Sequence, residues 1–189
     1  MIVTSLRTAS YAALLAVLML GVSAQAATSD YRQIEWVELM PADDLDALLN
    51  PPDSINQIAD GSEQDSVAGL AQIEDEATQR YMEALESTRV VSEFNNTKIR
   101  LPGFIVPLEM KDEFTAIEFL LVPFFGACLH MPPPPPNQIV YVTYPEGVKL
   151  SSYQDAFWLE GTLTVKTMAS DMGTAAYTLH VDSVTPYSE

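Results

Sequence analysis

Cys128 and His130 stand one residue apart and Met131 follows them, so a thiol, an imidazole and a thioether fall within one short stretch. Side chains two positions apart in an extended chain share a face, roughly 6–7 Å from each other. A slight bend would let Cys128 and His130 hold one ion. Thiolate with imidazole suits Zn²⁺ and Cu⁺, and Met131 adds a soft ligand that favours copper. Two ligands do not complete a tetrahedral zinc site. His180 is the other of the two histidines, so it, a carboxylate or a partner chain has to supply the remainder. The same residues have a plainer use. A lone cysteine serves as a small buried hydrophobe, and a lone strand histidine as a satisfied polar group.

A Cys–His pair can also act as nucleophile and base, but the imidazole must then reach the sulfur and be oriented by a third group. Same-strand spacing makes that contact poor. The chain has no Ser-centred elbow, glycine-rich phosphate loop or HExxH helix. A redox role lacks a resolving cysteine, because Cys128 is the single cysteine. The expectation is a non-enzymatic protein.

Pro132, Pro133, Pro134, Pro135 and Pro136 follow directly, and then Asn137 and Gln138. Consecutive prolines impose a left-handed polyproline II rod with free carbonyls and a stiff apolar ridge. Such a rod loses little entropy on docking, so Pro132–Gln138 is a candidate partner-binding segment. A rigid strap covering a barrel end is the alternative use of the same run.

The chain start gives these residues a compartment. Arg7 precedes the unbroken apolar run Ala12–Val22, and Ala24-Gln25-Ala26 is a small-x-small cleavage site, so residues 1–26 read as a secretory signal peptide. The run is shorter than the roughly 20 apolar residues of a membrane span. The expected product is periplasmic, begins near Ala27 and has no stable membrane insertion. Loss of Arg7 takes the formal net charge from −17 to −18. That balance repels nucleic acid and anionic lipid and favours basic partners or cations. Outside the cytoplasm a lone Cys128 must be buried, shared with another chain or ligated.

The elements that position this segment divide near residue 90. Residues 27–89 read as an acidic helical extension. Ile34–Leu39 reads as a short strand or an extended arm carrying a Trp36 anchor. A helix after Pro41 has Leu45, Leu48 and Leu49 as its apolar stripe and stops at Pro51-Pro52. Asp53–Ser66 reads as loop, and Val67–Leu85 as a longer amphipathic helix whose carboxylates form a solvated face. Residues 90–189 turn to β, with strands expected at Lys98–Val106, Ile117–Pro123, Gln138–Tyr144, Phe157–Lys166 and Ala175–Val184. Gly161 marks a bulge, and Ser151–Ala156 a possible helical turn. The fold class is mainly β: a small five-stranded OB-like barrel behind an acidic helical N-terminal segment, with a β-sandwich as runner-up.

Arg100–Glu109 (RLPGFIVPLE), Glu118–His130 (EFLLVPFFGACLH) and the PPPPPNQIVYV run together resemble a bacterial envelope family known only as a domain of unknown function. The resemblance spans Val90–Tyr187. Trp36-x-x-Leu39-x-Pro41 resembles the family's opening segment. It implies an exported protein with an OB-like barrel. In some relatives it also implies a genetic setting beside ABC-transporter components and a histidine-rich periplasmic metal-binding protein, in zinc-responsive clusters. The chain lacks a lipobox, and it has Asn95-Asn96-Thr97 where relatives have a tight Asx-Gly turn.

Two functions follow. The first is an accessory role in envelope metal handling, zinc before copper, linked to an ABC-transporter system and centred on Cys128, His130 and His180, with Met131 if the ion is copper. Its partner is an envelope transporter component or a periplasmic metal-binding protein. The second is a metal-free adaptor that docks an envelope partner through the polyproline loop.

Overall fold

The computed structural model describes residues 30–58, 62, 69, 73, 75–127 and 133–187. Residues 1–26, expected to be a signal peptide, most of the segment from 59 to 74, and Cys128–Pro132 lie outside the described residues.

Among the described residues nine helices and strands carry the fold: β1 (Arg32–Gln33), α1 (Ala42–Leu49), α2 (Asp53–Asn56), α3 (Glu76–Leu85), β2 (Thr97–Asp112), β3 (Thr115–Val122), β4 (Val140–Lys149), β5 (Ala156–Ser170) and β6 (Gly173–Pro186). The strands run β1-β2-β3-β4-β6-β5, and a further β2–β5 pairing closes β2–β6 into a five-stranded barrel. Within the barrel β4 and β6 are parallel, and the other pairs are antiparallel. This is the OB arrangement, so the expected class is the observed one.

All five expected strands are present, each longer than its apolar run. Two glycines explain the closure. β2 changes partner at Phe104, which is paired to both Val122 and Ala156. At Gly103, beside this switch, a Cβ would sit 2.8 Å from Leu121 Cγ and from the Val122 carbonyl. Gly161 lies at a register shift after Glu160, where any Cβ would collide with the His180 carbonyl. The bulge expected there bends β5 around the barrel. Asn96, at φ 60°, makes the turn into β2, a conformation Asn tolerates better than most residues.

Ile99, Leu101, Phe119, Leu121, Val142, Leu159, Leu163, Tyr177 and Leu179 fill the interior. Ile34, Leu39 and Phe94 belong to the same buried cluster, so the N-terminal segment plugs the barrel. The Tyr177 hydroxyl donates to the Leu39 carbonyl at 2.8 Å and accepts from the Val91 amide at 2.7 Å. Trp36 Nε1 donates to the Pro102 carbonyl at 2.7 Å, which realises the expected anchor.

Four local expectations need correction. Only Arg32–Gln33 is strand, paired parallel to Ile99–Arg100, and Trp36–Leu39 is a 3₁₀ turn. The Glu35 amide donates to Glu38 Oε1 at 2.8 Å there, drawing the chain out of extension. α1 stops at the Pro51-Pro52 pair as expected, but it buries Asp44 and leaves Leu49 69% exposed. Asp44 is drawn inward by charge: Arg80 donates to it at 2.6 Å, Arg89 at 3.1 Å and the Ser87 hydroxyl at 2.6 Å. Asp53–Asn56 is a helical turn inside the expected loop, because Pro52 fixes the backbone just before it. Ser151–Ala156 forms a turn closed by the Asp155 amide on the Ser152 carbonyl at 3.2 Å, without a helix.

Candidate functional site

The described ends of the β3–β4 connection pack on the outside of the barrel. Phe119, Leu120, Leu121 and Val122 are all fully buried, whereas a strand with one solvated face would alternate. Phe119 and Leu121 face the interior cluster. Leu120 and Val122 join a second cluster with Ala127, Ile139 and Ala175, flanked by Phe104, Val106, Leu108 and Tyr141. Ala127, one position before Cys128, and Ile139, at the far end of the loop, seal this outer cluster. Gly126 (φ 77°) turns the chain, and the Ala127 amide donates to the Phe124 carbonyl at 3.3 Å.

The far end of the loop is fixed more firmly. Pro136–Gln138 is a 3₁₀ turn, with the Gln138 amide on the Pro135 carbonyl at 2.8 Å. Asn137 is fully buried and Nδ2 donates to the Arg89 carbonyl at 3.1 Å. Its Oδ1 is buried without a hydrogen-bond partner. Gln138 Nε2 donates to the Trp36 carbonyl at 2.8 Å. Arg89 itself forks onto Asp43 at 2.6 and 2.9 Å. Hydrogen bonding to Arg89 holds the Asp43 carboxyl below its usual range. The loop terminus is thus tied through Arg89 to α1, and through Trp36 to the N-terminal plug.

Of the candidate residues, Cys128, His130, Met131 and Pro132 lie outside the described residues. Pro133 is exposed, Pro134 and Pro136 half-buried, and Pro135 buried. Asn137 and Gln138, read from sequence as partner-binding, turn inward and bond the chain's own backbone. His180 is exposed on β6, in register with Thr143 and Thr162. It lies five residues along the strand from Ala175, the residue that packs in one cluster with Ala127. Five extended residues span about 17 Å, so β6 does not carry His180 to the start of the loop. Among the described residues no group of three or more His, Cys, Asp and Glu side chains is placed to hold a metal, and no helix is long and apolar enough to cross a membrane.

What the sequence did not reveal is an apolar cleft of about 150 Å³ between the loop and β2, lined by Phe104, Val106, Phe125, Tyr153 and Met172. The Phe104 and Phe125 rings meet at 6.4 Å and 58°. Phe125, Tyr153 and Met172 are 47%, 59% and 44% exposed. A second cleft of about 180 Å³, lined by Met110, Glu113, Phe114 and Leu150, shares Tyr153 with the first. These residues come from separate segments without common periodicity. The Phe124-Phe125-Gly126 run was the one sequence signal for them. On the outer face, burial and then hydrogen bonding to Glu118 push the Tyr141 hydroxyl up to about 12. It stays protonated near neutrality.

A five-stranded OB barrel, plugged by its N-terminal segment and strapped by a proline-bearing loop over an aromatic cleft, defines a β-barrel module. The chain belongs to the family described as "Protein of unknown function (DUF3299)", whose model matches residues 36–186. It is similar to a DUF3299 family protein from Pseudomonas aeruginosa PAO1, known from a crystal structure. The two are 35% identical, with 84% of this chain and 97% of that chain covered and a TM-score of 0.60. No curated protein matches it.

Proposed function

We propose that this chain is an exported, non-enzymatic docking module of the bacterial envelope, working in the periplasm. It engages its partner through the β3–β4 loop and the cleft beneath it. The cleft lined by Phe104, Phe125, Tyr153 and Met172 carries this reading. Exposed aromatic and methionine side chains in one concavity are the composition of a contact centre. The occupant is an apolar segment with basic flanks, because the net charge of −17 and Glu113 in the adjoining cleft disfavour an acidic one. A transporter component or a periplasmic metal-binding protein fits that role. Pro133, exposed at the surface, adds the ridge, while Asn137 and Gln138 hold the loop from inside. Replacing Pro133–Pro135 by Gly-Ser-Gly is expected to abolish capture of that partner while the barrel stays folded. Retained capture would contradict the reading.

A second reading rests on the Cys128-x-His130 pair, which sits in a loop anchored at Ala127 and Asn137. Zinc, or copper with Met131, would bind there with further ligands from the docked partner, in keeping with an accessory role in metal handling. Anaerobic titration of the reduced protein with Zn²⁺ and Cu⁺ tests it. Equal binding by the Cys128→Ser/His130→Ala double variant would refute it.

A further inference from the structure

We infer that a third, polar cleft near the chain end, which shares Ser151 with the cleft beside Glu113, is a binding site for a neutral saccharide. The cleft encloses about 360 Å³, within the range of small-ligand sites, and is lined by Lys149, Ser151, Gln154, Asp155, Pro186 and Tyr187. Its floor is a held aromatic ring. Tyr187 stacks on Trp158 with centroids 5.2 Å apart and planes at 22°. The Arg100 guanidinium lies 4.1 Å from the Trp158 ring centroid and 3.6 Å from Glu160. The Tyr187 amide donates to the Ala156 carbonyl at 2.9 Å, which fixes the backbone beneath the ring. Tyr187 remains 45% exposed, so one side of the ring is stacked and the rest is available. The opposite wall is braced too. The Ser152 amide donates to Asp155 Oδ2 at 3.0 Å, and the Gln154 amide donates to the Ser152 hydroxyl at 3.1 Å.

The mixture of groups selects the ligand class. Lys149 offers only donors and Asp155 only acceptors, and Gln154 and Ser151 offer both. An apolar ligand would desolvate an ammonium and a carboxylate without giving either a new partner. A phosphate or polyanion would meet Asp155 and a net charge of −17. A neutral polyhydroxylated ring satisfies every group, because each hydroxyl both donates and accepts. Its C–H face, carrying slight positive charge, lies on the electron-rich face of Tyr187.

A glycan microarray probed with the full-length protein, followed by calorimetry on the best neutral saccharide, tests this. Tyr187→Ala and Lys149→Ala are each expected to weaken binding at least about tenfold, a loss of about 1.4 kcal/mol. Tyr187→Phe keeps the ring and is expected to bind like the parent. Since Tyr187→Ala unstacks Trp158, Lys149→Ala with an unchanged melting temperature is the control for folding. Binding to acidic saccharides alone, no saccharide binding, or binding indifferent to both alanine changes would overturn the assignment.

Discussion

Asn137 Nδ2 donates to the Arg89 carbonyl at 3.1 Å, while the Arg89 guanidinium grips Asp43 and Asp44 of α1. One residue thereby connects the end of the β3–β4 loop to the helical segment that precedes the barrel. Replacing Asn137 by Ala frees the Arg89 carbonyl and removes the orphaned Oδ1 as well. The expected net cost is modest, about 1 kcal/mol in urea unfolding. Faster amide exchange should be confined to Gln138 and Ile139, whose amides close the turn onto the Pro135 and Pro136 carbonyls. Unchanged exchange there would mean that the loop is held by other contacts.

Asp44 is the buried end of the ion network, between two arginines that stay partly exposed at 33% and 56%. Asp44→Ala leaves both guanidinium groups with Asp43 alone and takes away the acceptor of the Ser87 hydroxyl. The expected destabilisation is about 2–3 kcal/mol, below the range for a fully buried pair because the arginines can rehydrate. Thermal unfolding of the variant measures it.

The Asp43 carboxyl ionises below its usual range in the folded state, chiefly through Arg89. A depressed carboxylate contributes stability above its unfolded value near 3.9, and that contribution is lost as pH falls through the folded value. The melting temperature is therefore expected to hold from neutrality down to about pH 5 and to drop below about pH 4. Asp43→Asn should shrink the drop, most clearly at low ionic strength.

Tyr141 gives the opposite case. Its hydroxyl is pushed up to about 12, so the unfolded chain loses this proton first as the solution becomes alkaline. Stability present below about pH 10 is expected to decline as pH rises through 12. A spectrophotometric phenolate titration of Tyr141→Phe should lack the latest-ionising step of the parent protein.

The Tyr177 hydroxyl serves Leu39 and Val91 together. Tyr177→Phe leaves a buried carbonyl and an amide unsatisfied and is expected to cost about 1–3 kcal/mol. Because Leu39 belongs to the N-terminal plug, the loss should appear in one cooperative transition shared by helices and barrel.

Much of the fold was legible because the physics is local. Alternation and β-branched runs marked each barrel strand, Gly161 announced its bulge, and Trp36 its anchoring role. Strand ends were underestimated where Glu109, Lys149 and Ser170 continue the ladder without apolar character. The α1 stripe misled because two arginines distant in sequence make Asp44 the favoured residue to bury, while Leu49 stays outside. Asn137 and Gln138 looked like recognition groups, since an exposed amide and one that satisfies backbone are the same residue in a sequence. The aromatic cleft draws Phe104, Phe125, Tyr153 and Met172 from four places that only the closed barrel brings together.

Docking through the loop and its cleft is the central claim, and site-specific photo-crosslinking in living cells tests it most directly. A crosslinker at Phe125 or Tyr153 is expected to yield one discrete covalent adduct, which disappears when Pro133–Pro135 is replaced by Gly-Ser-Gly. The same crosslinker at exposed Glu76 on α3 should give none. No adduct at the cleft, or the same adducts from Glu76, would contradict the account.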